Sequence, residues 1–372
     1  MEQSAVMRRN GYDVCMPDIS HLSLPLLLLV FGVAAAAVWI AGTFLSGTTD
    51  ALDDRLHLGE ALGGLILLAI TTNLPEIAIT VTAALRHEIG VAVGNILGGI
   101  ALQTVVLVAL DVSVPGKRPL TWQAASLVLV LEGVLVTAVL VVVMMGTQLP
   151  KTLIFFRFTP EDLAIAGLWL AGLWLLKKAG TDLPWQSKGD APGGEQTGDM
   201  KARKKKAAEK SQGQSTLKIA AIFGLASLVT LAAGVALAQS SEGIARHLHM
   251  TGVLFGATIL AAATSLPELS TGIASVKTGD YSLAISDIFG GNAFLPVLFL
   301  PATLISGQAV LPQAQRTDIY LAGLGVLLSA VYIYGLIFRP GRLFLRMGAD
   351  SLVVLVLYAL GIAGLFAISN SR

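Results

Sequence analysis

Shifted by 192 residues, the second half of the chain falls on the first. Between 62–107 and 254–299, 14 of 46 positions are identical without a gap. The agreement peaks at ITTNLPEIAIT (70–80) and AATSLPELSTG (262–272), each inside a long apolar stretch. Glu76 falls on Glu268, Pro75 on Pro267, Thr72 on Thr264, and Gly98-Gly99 on Gly290-Gly291. The fold must therefore be assembled from one unit used twice, with similarity strongest where a bilayer helix is least comfortable.

Apolar segments long enough to span a bilayer, or nearly so, fall at about 22–46, 58–84, 89–110, 121–146, 161–178, 217–239, 250–276, 281–305, 316–338 and 347–369. The unbroken apolar part of the fifth, 163–176, is short. The first is too long for a secretory leader and lacks a cleavage site. With 54% hydrophobic and 13% charged residues, the chain reads as an all-α membrane protein of ten transmembrane helices. Five crossings per copy is an odd number, so the second copy enters the bilayer upside down. The expectation is two inverted five-helix repeats, 1–178 and 217–372, an arrangement that puts substrate at the midplane between the copies.

Placing both termini outside puts 17 of the 25 Lys and Arg residues in inside loops. The positive-inside rule then makes 179–216, with its run KARKKKAAEK, a cytoplasmic basic linker. The run could instead contact anionic lipid headgroups. Layout suggests a bacterial inner membrane. A single cysteine, Cys15, excludes a disulfide framework, and the five histidines lack HExxH spacing. No cofactor is expected, and the partners are inorganic cations and membrane lipid rather than nucleic acid.

Proline has no N–H to donate, so Pro75 and Pro267 should interrupt their helices and release carbonyls one turn back. In lipid such groups persist only where something satisfies them, and a cation would. Thr72 and Glu76 share a helix face, as do Thr264 and Glu268, with Asn73 and Ser265 flanking. At equal spacing, 19 residues beyond each glutamate, come Asn95 in VGNILGG and Asp287 in SDIFGGN. An all-oxygen, carboxylate-rich set of this kind suits Ca²⁺. Three carboxylates in one dry site would need cations on every crossing, giving obligatory exchange of Ca²⁺ for Na⁺ or H⁺.

TTNLPE with GNILGG, and ATSLPE with SDIFGGN, resemble the paired alpha-repeats of the calcium/cation antiporter superfamily, nearest its sodium/calcium exchanger branch. The resemblance implies alternating access by sliding of the first and sixth helices over a fixed core. It implies Glu76 and Glu268 as central Ca²⁺ ligands, oxygens from Thr72 and Thr264, and Asn95 and Asp287 completing the site, within motifs at 69–100 and 261–292. Three departures stand out: Asn73 replaces a serine, Val91 and Leu283 stand where sodium-coupled relatives carry hydroxyls, and Gly98-Gly99-Ile100 replaces GSN. These favour Ca²⁺/H⁺ antiport as the alternative to Ca²⁺/Na⁺ exchange.

Glu132, in LVLVLEGVLV, falls on Leu324 and lies outside the repeated motif. It reads either as a proton-carrying group or as a protonated helix–helix hydrogen bond. Gln103 reads as an interhelical contact and Asp111 as a loop-facing helix end. An intramembrane aspartyl protease needs two membrane aspartates, and only Asp287 lies plainly within a span. A passive scaffold has no need of duplicated acidic helix breaks, so the chain is expected not to be an enzyme.

Overall fold

The computed structural model describes residues 19–56, 69–124, 126–152, 154–181, 215–248, 250 and 255–370. Residues 182–214 of the basic linker and 58–68 of the second apolar segment lie outside them. In chain order the principal helices are α1 (Leu24–Leu56), α2 (Leu74–Leu85), α3 (Ile89–Ser113), α4 (Leu127–Gly146) and α5 (Pro160–Thr181). They continue as α6 (Thr216–His247), α7 (Leu266–Thr278), α8 (Tyr281–Phe294), α9 (Arg316–Phe338) and α10 (Ala349–Asn370).

Among the described residues, seven helices are long and apolar enough to cross a membrane, or eight if one bent pair counts as a single span. The chain is thus an all-α membrane protein. Helix α5 is not among the seven, because Glu161, Asp162, Lys177 and Lys178 leave it only a short apolar middle. Helix α2 has 12 described residues, too few to span alone.

The expected breaks occur in both halves. Helical residues 69–72 stop at Asn73 (φ −87°, ψ 14°), and Pro75 then sits in the first turn of α2. There its missing N–H costs nothing. Likewise a π-helical turn, Gly256–Leu260, and a short turn, Ala261–Thr264, stop at Ser265 (φ −81°, ψ 6°) before Pro267 opens α7. The two pieces meet at 49°. Both breaks are pinned alike: Asn73 Nδ2 donates to Ala69 O at 2.7 Å, and Ser265 Oγ to Ala261 O at 2.8 Å. The turns that follow also correspond, since His87 (φ 58°) and Gly279 (φ 84°) each reverse the chain in the left-handed region. Glycine does so freely, whereas histidine there costs roughly 1–2 kcal/mol.

Helices α3 and α8 carry buried residues along nearly their whole length and form the centre of the bundle. Helix α8 runs on through a 3₁₀ turn at Leu295–Leu298 into Phe299–Ser306. Around them α4, α9 and α10 share one large apolar cluster. Helices α1 and α6, with 33 and 32 residues, are each about 50 Å long against a hydrocarbon core of about 30 Å. They pack along one another and hold to the rest through separate, smaller clusters rich in Ala, including Ala34, Ala233 and Ala263.

Each long helix crosses the proline of the opposite half at a glycine. A Cβ on Gly42 would lie 3.0 Å from Pro267 Cα, and one on Gly234 would lie 3.0 Å from Pro75 Cα. The glycines are themselves 192 residues apart. Gly42→Val and Gly234→Val are each expected to destabilise the protein by about 1–3 kcal/mol through overpacking, read as an earlier thermal melt in detergent. Gly32→Val, with nothing within 4 Å of its Cβ position, serves as control. Equal melting of all three would contradict the close crossing.

Candidate cation site

The two helix breaks face each other across α3 and α8, and the side chains between them are shut away from the surface. Thr72, Asn73, Glu76, Asn95, Gln103, Thr264 and Glu268 are fully buried, Ser265 and Asp287 nearly so. Gln103 of α3 stands at the midpoint. Its Nε2 lies 3.3 Å from Glu76 Oε1, 3.3 Å from Glu268 Oε1 and 3.1 Å from Asn73 Oδ1. One amide group therefore joins the carboxylates of both halves.

The remaining polar contacts cross between the halves. Thr264 is within side-chain reach of Glu76, and Thr72 of Glu268. Thr72 Oγ1 also lies 3.4 Å from Asp287 Oδ1, a long contact, while Thr271 Oγ1 donates firmly to Asp287 Oδ2 at 2.6 Å. Each half's threonine thus serves the other half's acid. What is left over matters more. Glu76 Oε2, Glu268 Oε2 and Gln103 Oε1 are buried with no hydrogen-bond partner among the described residues. Two carboxylate oxygens and an amide oxygen left unpaired in a dry interior are costly as they stand. A hard cation among them would satisfy all three with the ligand type it prefers.

Glu76, Glu268, Thr72, Asn73, Thr264 and Asp287 are brought to one place, joined by Gln103. Ser265 is spent on pinning its break through Ala261. Asn95 is buried; among the described residues no hydrogen bond links it to either glutamate, and both its side-chain polar atoms are left with capacity to spare, as Gln103 Oε1 is. Equal spacing after the glutamate selected Asn95; the structure puts Gln103, two turns further along α3, at the centre. Among the described residues no group of three His, Cys, Asp or Glu side chains is already set to hold a metal, although Glu76 and Asp287 both lie near enough to Glu268 to act on its charge. Two glutamates and an amide form the middle, with Asp287 tied to Thr271 beside them.

The flanking positions shift accordingly. Val91 and Leu283 lie in the first turns of α3 and α8, away from the centre. Val91 lines a cavity of about 180 Å³ at the end of α6, where Glu242 meets Arg86 at 3.9 Å and Arg246 at 3.6 Å. The position that points inward on α8 is Gly291, whose Cβ would lie 2.7 Å from Asn73 Nδ2 and 3.6 Å from Gln103 Oε1. Its counterpart is Gly99, four residues before Gln103. Neither offers a hydroxyl.

Asp111, at the end of α3, faces the connections there but is buried: it accepts from Leu120 N at 2.7 Å, Gly348 N at 2.7 Å and Ser351 Oγ at 2.6 Å, and so locks α3 to the start of α10. Glu132 makes the helix–helix contact that was one of its two readings, accepting from Ser286 Oγ at 2.8 Å.

Known proteins share this layout. The family model described as Sodium/calcium exchanger protein matches residues 26–175 and 218–367, omitting the linker. Inner membrane protein YrbG of Escherichia coli (strain K12) is 28% identical over 282 residues, 75% of this chain and 80% of that protein. The putative antiporter CaxA of Alkalimonas amylolytica is 27% identical over 297 residues, 76% and 82% of the two chains. The sodium-calcium exchanger NCX_Mj, soaked with 100 mM Na⁺ and 10 mM Sr²⁺, has the same fold. It superposes with a TM-score of 0.56 at 16% identity, covering 92% of this chain and 99% of that one. With both halves matched, the chain belongs to the sodium/calcium exchanger protein family and is a secondary-active cation antiporter.

Proposed function

We propose that the chain exchanges Ca²⁺ for Na⁺ across a bacterial inner membrane by alternating access. One cation would be held between Glu76 and Glu268, with Gln103, Thr72, Asn73, Thr264 and Asp287 around it and Asn95 and Ser265 behind. The observation that carries this reading is the pair of buried, unpartnered glutamate oxygens facing one amide. On loading, Gln103 would turn its Oε1 toward the ion, replacing the amide donor that otherwise separates the two acids. An empty site leaves two buried acids without partners, which opposes crossing until cations, protons among them, return.

The full architecture belongs to the same proposal: ten spans in two inverted five-helix repeats, both termini outside and 179–216 in the cytoplasm. Matching crossings of α1 over Pro267 and α6 over Pro75, and matching pins at Asn73 and Ser265, support it. Sliding of α1 and α6 over the remaining helices would open the site alternately to each side, as glycine at both crossings and separate Ala-rich clusters permit.

A second reading, Ca²⁺/H⁺ antiport, is favoured by Val91, Leu283 and Gly99, which carry no hydroxyl where sodium-coupled members of the family place one. Proteoliposomes decide between the two. Ca²⁺ uptake driven by an outward Na⁺ gradient is expected; uptake driven only by an outward H⁺ gradient would establish the second reading. Glu76→Gln and Glu268→Gln are each expected to reduce uptake to background, and retained transport in either would refute the shared site. Gln103→Leu, which copies the residue at the equivalent position Leu295, removes one ligand to a charged ion. Such a contact is worth about 1.5–3 kcal/mol, so half-saturating Ca²⁺ should rise by roughly tenfold to a hundredfold.

A further inference from the structure

Glu132 takes no part in the cation centre, yet its surroundings are not those of a settled structural bond. It is 2% exposed within the apolar run LVLVLEGVLV of α4. Ser286 satisfies Oε1, but Oε2 is buried with no partner among the described residues. Beside it lies a cavity of about 20 Å³ between α4, α5 and α8, reaching Ala69 just before the break of the first half. Roughly 10–15 Å³ suffices for one water where polar groups meet it. Among the described residues of that lining Glu132 alone is ionisable and offers the polar side chain; α5 contributes Trp169, Leu173 and Leu176.

The cavity reaches the cation centre at Ala69, and Glu132 reaches it separately through Ser286. The Ala69 carbonyl accepts from the Asn73 amide at 2.7 Å. Ser286, the partner of Glu132, directly precedes Asp287 on α8. Other acids and phenols are differently engaged: Asp287 is held by Thr271, and Tyr332 of α9 pairs with Ser351 of α10. On the α9 side, Ile333 packs at Gly133. A purely structural Ser–Glu bridge needs neither an unpartnered oxygen nor room for water.

We propose that Glu132 is a proton-binding site separate from the cation ligands, loaded through this cavity and emptied when the centre takes a divalent cation. Loading forms an O–H bond at Oε2 with a proton from hydronium in the cavity, leaving water; unloading reverses it. The coupling is electrostatic. It runs along α8: Glu132 is bonded to Ser286, whose neighbour Asp287 stands beside the centre, so a divalent cation there favours the ionised carboxylate. By linkage, a proton on Glu132 weakens Ca²⁺ binding by the same factor. The inference rests on the antiport reading for its cation, not for the geometry of the proton site.

Infrared difference spectroscopy on the full chain in liposomes, switched between Ca²⁺-free and Ca²⁺-containing buffer, tests it. The wild type should lose a protonated-carboxyl C=O band on Ca²⁺ addition, sensitive to D₂O and absent from Glu132→Gln. That variant should still bind radiolabelled Ca²⁺ and release fewer protons on doing so, measured with a pH indicator dye. Ser286→Ala, which removes one hydrogen bond and leaves the carboxyl, should shift the band rather than abolish it. A Glu132→Gln spectrum keeping every Ca²⁺-dependent carboxyl band overturns the proposal while the antiport reading stands. A wild type with no Ca²⁺ response at all overturns both.

Discussion

The structure turns on a single unmet need: two glutamates, one from each half, are buried within reach of one amide and each keeps an oxygen without a partner. In a bilayer interior such an arrangement is costly unless cations, protons among them, visit it. The helix breaks are what make it possible. Pro75 and Pro267 each open a new helix whose first turn delivers the glutamate, while Asn73 and Ser265 pin the chain just upstream. The same break therefore creates the site and holds its shape.

Everything outside the centre divides into one large interlocked body and a separate pair of long helices. Buried polar bonds at Asp111 fasten α3 to α10, and one large apolar cluster binds α3, α4, α8, α9 and α10 together. Helices α1 and α6 stand apart, paired with each other and touching the centre through small residues. A glycine meeting a proline ring offers no interdigitating side chain to resist sliding. Alanine-rich contacts do the same over the rest of the pair, in contrast to the interlocked Phe289, Phe299 and Tyr332 of the larger cluster.

Repetition made much of this legible in the sequence. Any feature present in both copies, such as the proline breaks, the glutamates or the glycine pairs, announced itself by its recurrence at 192 residues. The same method hid whatever the copies do not share. Gln103 answers to Leu295, so comparison of the halves gave no reason to place it in the site, and Asn95 was preferred because Asp287 echoed it. A different signal was present: Gln103 stands four residues after Gly99, on the face of α3 that the glycine clears for a neighbouring helix. The lock made by Asp111 was hidden for a related reason, since its partners at Gly348 and Ser351 lie more than 230 residues away and no local pattern points to them. The fifth span was weak in the sequence and remains so, because charges at both ends of α5 shorten its apolar middle.

The most direct measurement is equilibrium binding of radiolabelled Ca²⁺ to the purified protein, counted per chain, for the wild type and for Glu76→Gln and Glu268→Gln separately. A site built jointly by the two halves predicts one high-affinity Ca²⁺ in the wild type and its loss in either variant. If each variant instead kept half of the wild-type binding, the halves would hold separate ions, and the account of one cation between two inverted copies would fail.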